Sequence, residues 1–173
     1  MKSLQSLASF LLIVGLLYYS FFSLMPQKGS PSSVSETEFS TERALIPLKE
    51  ITKAPHYIGT KDHTRVRNYL IGQLEELGLE TQVQEGFVIN PKWKSLDKPK
   101  NIIAQIKGSE NGKSLLLLSH YDSALTPSYG ASDAGSGVVT ILETLRAYKA
   151  SGKKPKNDII VLFTDAEEVG LDG

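Results

Sequence analysis

Two adjacent glutamates, Glu167 and Glu168, follow the apolar run 159–163. Such a run predicts a buried strand, and the loop after a buried strand commonly carries functional side chains. Because neighbouring carboxylates repel each other, the pair indicates a cation that neutralises them. One carboxylate could then bind a metal ion while the other acts as a general base. The alternative is a pair of solvated acidic residues at the start of a helix.

Two further clusters of polar residues follow predicted elements upstream. His120 and Asp122 come directly after the apolar run 115–118, and residues two apart in an extended chain point to the same side. Asp133 lies in the glycine-rich segment 130–137, before a predicted helix. Taken alone, the histidine could be an exposed strand-end residue and the aspartate a helix N-cap. Together, the three clusters predict a site at one edge of a sheet.

The composition restricts both the metal and the partners. The chain has 173 residues, with 19 basic and 19 acidic side chains and no cysteine. Without thiolates, a metal must be bound by His, Asp and Glu, and such ligands admit zinc, manganese or cobalt. The balanced charge gives no indication of a nucleic-acid partner.

The amino terminus contains an uncharged apolar run at residues 4–25. It is long enough for a bilayer, which needs about 20 residues, so we predict a transmembrane anchor at residues 1–25. A cleaved signal peptide is the alternative, although the run exceeds the usual apolar region of about 7–15 residues and no A-x-A-like site follows it. Lys2 precedes the run and favours a cytoplasmic amino terminus. The rest of the chain is then extracytoplasmic, in the periplasm, outside the cell or in a lumen.

The remaining sequence predicts a linker and one folded domain. Residues 26–41 are rich in Ser, Pro and Glu, which is typical of a flexible linker, and residues 42–173 form the domain. The predicted helices are 42–52, 62–77 and one that begins at Gly135, and Asp62 is the predicted cap of the second helix. The predicted strands are 79–83, 101–107, 115–118 and 159–163. Residues 90–100 are predicted to form a basic loop. The solid apolar runs favour central strands covered on both faces.

This order of elements predicts an α/β fold. We expect a three-layer sandwich with helices on both faces of a mixed, mostly parallel central sheet, incomplete at its carboxyl-terminal end.

The motifs SHYDS (119–123), GASDAGSG (130–137) and FTDAEEVGLDG (163–173) resemble, in this order, peptidase family M28, the di-zinc aminopeptidases. Segments 54–60 and 101–104 also resemble that family. The resemblance covers residues 42–173 and is nearest to the membrane-anchored branch of vacuolar and endoplasmic-reticulum metallopeptidases. It implies a membrane-bound zinc aminopeptidase that acts on peptide substrates.

The resemblance also implies a role for each site residue. His120 would bind one zinc ion, Asp133 would bridge two zinc ions, and Glu168 would bind the second. Glu167 would be the general base that takes a proton from the bridging water. Asp122 would be an auxiliary catalytic acid that supports His120. The separation of base and ligand is physically reasonable, because a base needs a free lone pair.

Two features depart from the family pattern. Many members have Asn where this sequence has Ala134, which we interpret as a mark of subtype. The family also uses a later Asp and a later His as zinc ligands, and the sequence ends at Gly173 without them. We therefore expect an amino-terminal fragment with little activity of its own. His56 and His63 lie outside the motifs and are given a surface or structural role.

Three alternative functions remain open. Family 20 peptidases also have a His-x-Asp and a Glu-Glu pair, although GASDAGSG fits family M28 better. A glutaminyl cyclase has the same fold and uses one zinc ion. A non-catalytic ectodomain could act as a binding or scaffold module, but the retained site residues argue against it.

Overall fold

The computed structural model describes residues 2–25, 28–110, 112–126 and 128–173. The helices and strands are, in chain order, α1 (Lys2–Leu24), α2 (Thr41–Ile51), α3 (Lys61–Glu76), β1 (Thr81–Glu85), β2 (Val88–Asn90), β3 (Ser95–Asp97), β4 (Lys100–Ile106), β5 (Leu115–His120), α4 (Ser136–Ala150) and β6 (Ile159–Thr164). A short, irregular helical turn, Ala131–Gly135, leads directly into α4.

The main sheet has the strand order β1-β4-β6-β5. Strand β4 pairs antiparallel with both β1 and β6, whereas β5 and β6 are parallel. The predicted α/β fold with a mixed sheet is therefore confirmed. Among the described strands, however, two of the three pairings are antiparallel, so the expectation of a mostly parallel sheet does not hold for this part of the chain. Strands β2 and β3 form a separate antiparallel hairpin. The sequence predicted a loop at residues 90–100 instead, because strands of three residues are too short to show a period-2 pattern.

The hydrophobic core lies between the helices α2, α3 and α4 and one face of the sheet. Alternate residues of β4 and β6 point into it, as the period of a strand requires. These are Ile102, Ala104, Val161 and Phe163, each at most 2% exposed. Burial of such apolar side chains stabilises the fold by about 1.5–3 kcal/mol for each of the larger ones.

Strand β5 lies at the edge of the described sheet, and its predicted central position is wrong for the described residues. Leu115, Leu116 and Leu118 are each more than half exposed. Leu117 points to the face opposite to that of Leu116 and Leu118 and packs against the core. The apolar run predicted cover on both faces, whereas the described helices α2, α3 and α4 share a single core on one face.

The ends of α3 are set by local hydrogen bonds. Thr60, rather than the predicted Asp62, is the N-cap, because its hydroxyl accepts a hydrogen bond from His63 N at 3.1 Å. Asp62 instead accepts a hydrogen bond from Arg65. Gly78 follows the helix with φ of +72°, and this confirms the glycine predicted for its carboxyl end.

The segment 28–41 differs from the flexible linker that the composition predicts. The Arg43 guanidinium donates hydrogen bonds to a series of its backbone carbonyls, namely those of Ser32, Val34, Ser35 and Glu38. Ser40 is fully buried and donates its N–H to Glu143 at 2.9 Å. Side chains of α2 and α4 therefore fix this segment, which its own composition does not reveal. Residues 26 and 27 lie outside the described residues.

Helix α1 corresponds to the predicted anchor. Its residues 4–24 are long and apolar enough to cross a membrane, judged by length and composition. Its described side chains are exposed. The division into anchor and domain stays a prediction.

Glu143 connects α4 to α2 and to the segment before α2. Its carboxylate is 4% exposed and accepts hydrogen bonds from Ser40 N, Arg43 Nε and the Arg146 guanidinium. Burial raises the pKa of Glu143, but the hydrogen bonds from Arg146, Ser40 and Arg43 outweigh burial and lower the pKa below its usual range. The ionised form is therefore stabilised in the folded state.

We expect Glu143→Gln to lower the free energy of unfolding by about 1–3 kcal/mol near neutral pH, because Arg43 and Arg146 both lose their buried charged partner. The folded pKa lies below the unfolded value of 4.5. This stabilisation is therefore present above pH 4.5 and is lost as the pH falls through the folded pKa. Urea unfolding of both proteins across this range measures the effect. A difference that stays constant with pH would contradict it, and Glu110→Gln, at an exposed ion pair, is the control.

Candidate metal centre

The pairing of β5 with β6 brings two of the predicted motifs together. The strands are parallel, and their register places His120 beside Thr164, so both strands end at the same edge of the sheet. The turn Ala131–Gly135 lies against β5 and carries Asp133 to this edge. The three clusters that the sequence separates therefore converge.

His120, Asp133 and Glu168 each offer one ligand atom, and these atoms lie within 4.8 Å of one another. His120 Nε2 is 2.9 Å from Asp133 Oδ1. The side chain of Asp133 is 79% exposed, and no side chain caps α4. The N-cap explanation for this aspartate is therefore wrong, and its carboxylate instead faces the histidine.

Glu167 lies beside these three residues. Its Oε2 is 3.7 Å from His120 Nε2, and its side chain is 38% exposed. Glu167 and Glu168 lie in a turn after β6 and do not open a helix, so the alternative of two solvated helix-start residues is also wrong. The two neighbours therefore face the same histidine from different positions in one turn.

Asp122 organises the turn that carries both glutamates. It is 1% exposed, and its Oδ1 and Oδ2 accept hydrogen bonds from the backbone N–H groups of Glu167 and Glu168 at 3.2 and 3.1 Å. The ring of His120 is also oriented by this residue, because its Nδ1 is 3.1 Å from the Asp122 carbonyl oxygen. Asp122 thus links the two strand ends.

The electrostatics of the site favour a bound cation. Burial raises the pKa of Glu168, and the nearby charge of Asp133 raises it further; His120 opposes these effects. Burial lowers the pKa of His120, but hydrogen bonds to Asp122 and Asp133 and the charges of Asp122 and Glu167 raise it to about 9. Neighbouring carboxylates contribute to both shifts, and a metal ion would neutralise this negative charge in place of the proton on His120.

The donor set fits zinc. One imidazole nitrogen and two carboxylates are ligands that zinc accepts in catalytic sites. The second ring nitrogen of His120 is fixed by a carbonyl oxygen, as is common for histidines that bind metals.

A buried network that the sequence did not predict lies behind the site. His56 and His63 are 2% and 3% exposed, so the surface role proposed for them is wrong, and the structural role agrees with their burial. His63 Nε2 is 2.8 Å from Asp165 Oδ1, and the ring of His63 stacks on Tyr121. The one available signal was Asp165 itself, an acidic residue directly after a buried apolar strand.

Two clefts meet at Glu167. The larger has a volume of about 740 Å³ and lies between the glutamate turn and the β2–β3 hairpin, with Trp93 and Leu125 in its lining. The smaller, of about 430 Å³, contains His120, Asp133 and Glu167. The hairpin is fixed to the turn by Asn90, which donates hydrogen bonds to the Gly170 carbonyl and to Asp172. Glu167 therefore borders both the cleft beside the hairpin and the group of His120, Asp133 and Glu168.

The sequence of the site-bearing region matches a known family. The family model for peptidase family M28 matches residues 101–173, which contain all five predicted site residues. The chain belongs to peptidase family M28. A vacuolar membrane protease of Paracoccidioides brasiliensis (strain Pb18) is 30% identical over 179 residues, which cover 83% of this M28 chain and 17% of the relative. The chain thus spans about one sixth of that relative's length.

Solved structures with the same fold include peptidases and cyclases. The glutaminyl cyclase of Porphyromonas gingivalis has a TM-score of 0.69 at 27% identity, covering 78% of this M28 chain and 48% of the cyclase. A leucine aminopeptidase precursor from Bacteroides thetaiotaomicron has a TM-score of 0.68 at 30% identity, covering 78% and 50%. A Zn-dependent exopeptidase from Parabacteroides distasonis has a TM-score of 0.67 at 28% identity, covering 78% and 49%.

Proposed function

We propose that the protein is a zinc-dependent metallo-exopeptidase of the aminopeptidase type. The observation that carries this proposal is the convergence of His120, Asp133 and Glu168 on one point, with the carboxylate of Glu167 beside them. Family membership and the Zn-dependent exopeptidase among the similar structures support it.

Each residue of the site has its own proposed role. His120, Asp133 and Glu168 would hold the metal, and Asp133 is the proposed bridge between two zinc ions in the full-length protein. Bound zinc would supply Lewis acidity to polarise the scissile carbonyl and to make water more acidic. Glu167 is proposed as the general base, because its carboxylate lies within reach of the site yet outside the ligand set.

We propose that Asp122 acts by holding the turn of Glu167 and Glu168 in place. Each of its carboxylate oxygens accepts a backbone N–H of the glutamate turn, and the side chain is buried, so we assign it a structural role in the turn and not the role of a second base. It holds Glu167 and Glu168 at fixed distances from His120, and the rate of a proton transfer depends on such fixed geometry.

The position of the clefts suggests where a substrate would bind. We propose that a peptide lies in the cleft beside the β2–β3 hairpin, with its scissile bond at Glu167. The apolar helix α1 and the vacuolar membrane protease relatives support a membrane protein. Lys2 before the apolar run favours a peptidase domain that is extracytoplasmic, in the periplasm, outside the cell or in a lumen.

The function is tested on purified protein of the length of its relatives. With added zinc, it should release the amino-terminal residue from aminoacyl-p-nitroanilides, and removal of zinc by a chelator should stop the release. Residues 42–173 alone should show little hydrolysis. Metal analysis should give two zinc ions per full-length chain. An active protein whose rate is unaffected by complete metal removal would refute the proposal.

Glutaminyl cyclisation is the second candidate, because glutaminyl cyclases are among the similar structures. A peptide with an amino-terminal glutamine distinguishes the two reactions by mass, since cyclisation releases ammonia whereas hydrolysis releases a free amino acid. Cyclisation without hydrolysis would replace the peptidase assignment. Zinc binding with neither reaction would favour the non-catalytic module.

A further inference from the structure

Asp165 is a fully buried carboxylate directly behind the glutamate turn. Its two oxygens accept hydrogen bonds from separate parts of the chain: His63 Nε2 at 2.8 Å, Lys100 N at 2.9 Å, Tyr121 Oη at 3.2 Å and its neighbour Ala166 N at 2.8 Å. Such a carboxylate has nearly all its acceptor sites occupied, so removal of one donor changes the geometry of the others.

The hydrogen bond from Ala166 N to Asp165 ties this carboxylate to the shape of the turn. Ala166 has φ of +58°, a left-handed conformation that a residue with a side chain seldom adopts without support. Glu167 and Glu168 follow it, and their N–H groups are bound by Asp122. The turn is thus fixed on one side by Asp122 and on the other by Asp165.

His63 comes from α3, far from the motifs in sequence. Its ring stacks on Tyr121 with a centroid distance of 5.1 Å and an interplanar angle of 15°. The Tyr121 hydroxyl lies 2.9 Å from the Lys100 carbonyl oxygen and 3.2 Å from Asp165 Oδ2, and it shares its one proton between these two acceptors. His63 and Tyr121 therefore form one rigid unit around the buried carboxylate. A histidine required only to fill the core would not need its Nε2 directed at that carboxylate.

We propose that His63 is a positioning residue: through Asp165 it fixes the turn that presents Glu167 and Glu168. The effect on zinc rests on the proposed function, whereas the effect on the turn does not. His63→Leu removes the N–H donor and keeps an apolar side chain in the core. His63→Gln places an amide N–H near the former Nε2 and should restore the hydrogen bond.

The first experiment measures the turn directly by hydrogen exchange of the Glu167 and Glu168 amides in the full chain in detergent. His63→Leu should raise the exchange rate about 10-fold or more, because the turn opens more often. His63→Gln should stay near the wild-type rate. Tyr121→Phe, which keeps the stacking ring, is the second variant and should give an intermediate increase.

The control is Val66→Ala, a cavity variant at a fully buried core position of the same helix. It should lower Tm but leave exchange at Glu167 and Glu168 near the wild-type rate. If His63→Leu and Val66→Ala raise this exchange equally at equal loss of Tm, His63 has only a structural role and the proposal is overturned.

The second experiment is zinc titration of wild type and the same variants in protein of the length of the relatives. His63→Leu should weaken zinc affinity about 10–100-fold, the range typical of residues that orient metal ligands, and His63→Gln should recover most of the affinity. If wild-type protein binds no zinc, the proposed function fails, while the exchange experiment still decides the role of His63. If wild type binds zinc and His63→Leu binds it equally well, the positioning effect on the metal site is refuted.

Discussion

Glu167→Gln should abolish peptide hydrolysis while zinc stays bound. The carboxylate of Glu167 lies 3.7 Å from His120 Nε2, outside the group of His120, Asp133 and Glu168. Glutamine has nearly the same shape but no basic oxygen, so it cannot accept the proton that the reaction releases. General-base catalysis contributes about 10²–10⁴-fold, and we expect kcat to fall by at least that range.

Steady-state kinetics and metal analysis of the same preparation show whether Glu167 acts as the general base or as a zinc ligand. KM and zinc content should change little, since backbone contacts to Asp122 still fix residue 167. Glu168→Gln is the matched comparison in the next residue, and it should lose zinc as well as activity. Loss of zinc from Glu167→Gln would show instead that both glutamates are ligands.

Asp122→Asn should weaken zinc binding without a change in any ligand. The substitution keeps the shape of the side chain but replaces one acceptor oxygen by an NH₂ group. That group must face a backbone N–H of Glu167 or Glu168, both of which need an acceptor. At a position 1% exposed, we expect a loss of about 1–3 kcal/mol in the free energy of unfolding. Zinc affinity should fall about 10–100-fold.

The control for Asp122→Asn is the same chemical change at Asp158. This residue directly precedes β6, at the end of the strand that is remote from the site. Asp158 also accepts a backbone N–H, from Gly108 at 2.8 Å, but it lies far from the site along the strand. Asp158→Asn should destabilise the fold and leave zinc affinity unchanged. Calorimetric zinc titration and urea unfolding of both variants make the comparison. Equal zinc affinity in Asp122→Asn and wild type would contradict a role for Asp122 in ligand placement.

The elements that were predicted correctly are those with strong local patterns. The run 159–163 formed β6, and the apolar period of α3 and α4 gave their buried faces. These patterns depend on the burial of one face, which the local sequence encodes. The cap at Thr60 and the β2–β3 hairpin were missed, since a cap is chosen among adjacent polar residues and a short hairpin shows no periodicity.

The segment before α2 shows how distant residues override composition. Its Ser, Pro and Glu content predicted solvation, yet Arg43 and Glu143 fix it by hydrogen bonds. Likewise, β5 has the apolar run of a central strand, but in the described sheet it lies at the edge. The order of strands in a sheet depends on which strands pair. Pairing joins residues that are distant in sequence, so a short stretch of sequence does not predict it.

The sequence by itself determined the chemistry of the site: the residue types, their order and the family that they resemble. Only the tertiary structure decided which side chain touches which. It placed Asp122 under the glutamate turn and brought His63 to Asp165 across 102 residues. Motifs record which groups are present, whereas distances between groups on different strands arise from sheet register and helix packing. The parallel pairing of β5 and β6 is therefore the physical reason why the separate motifs form one site.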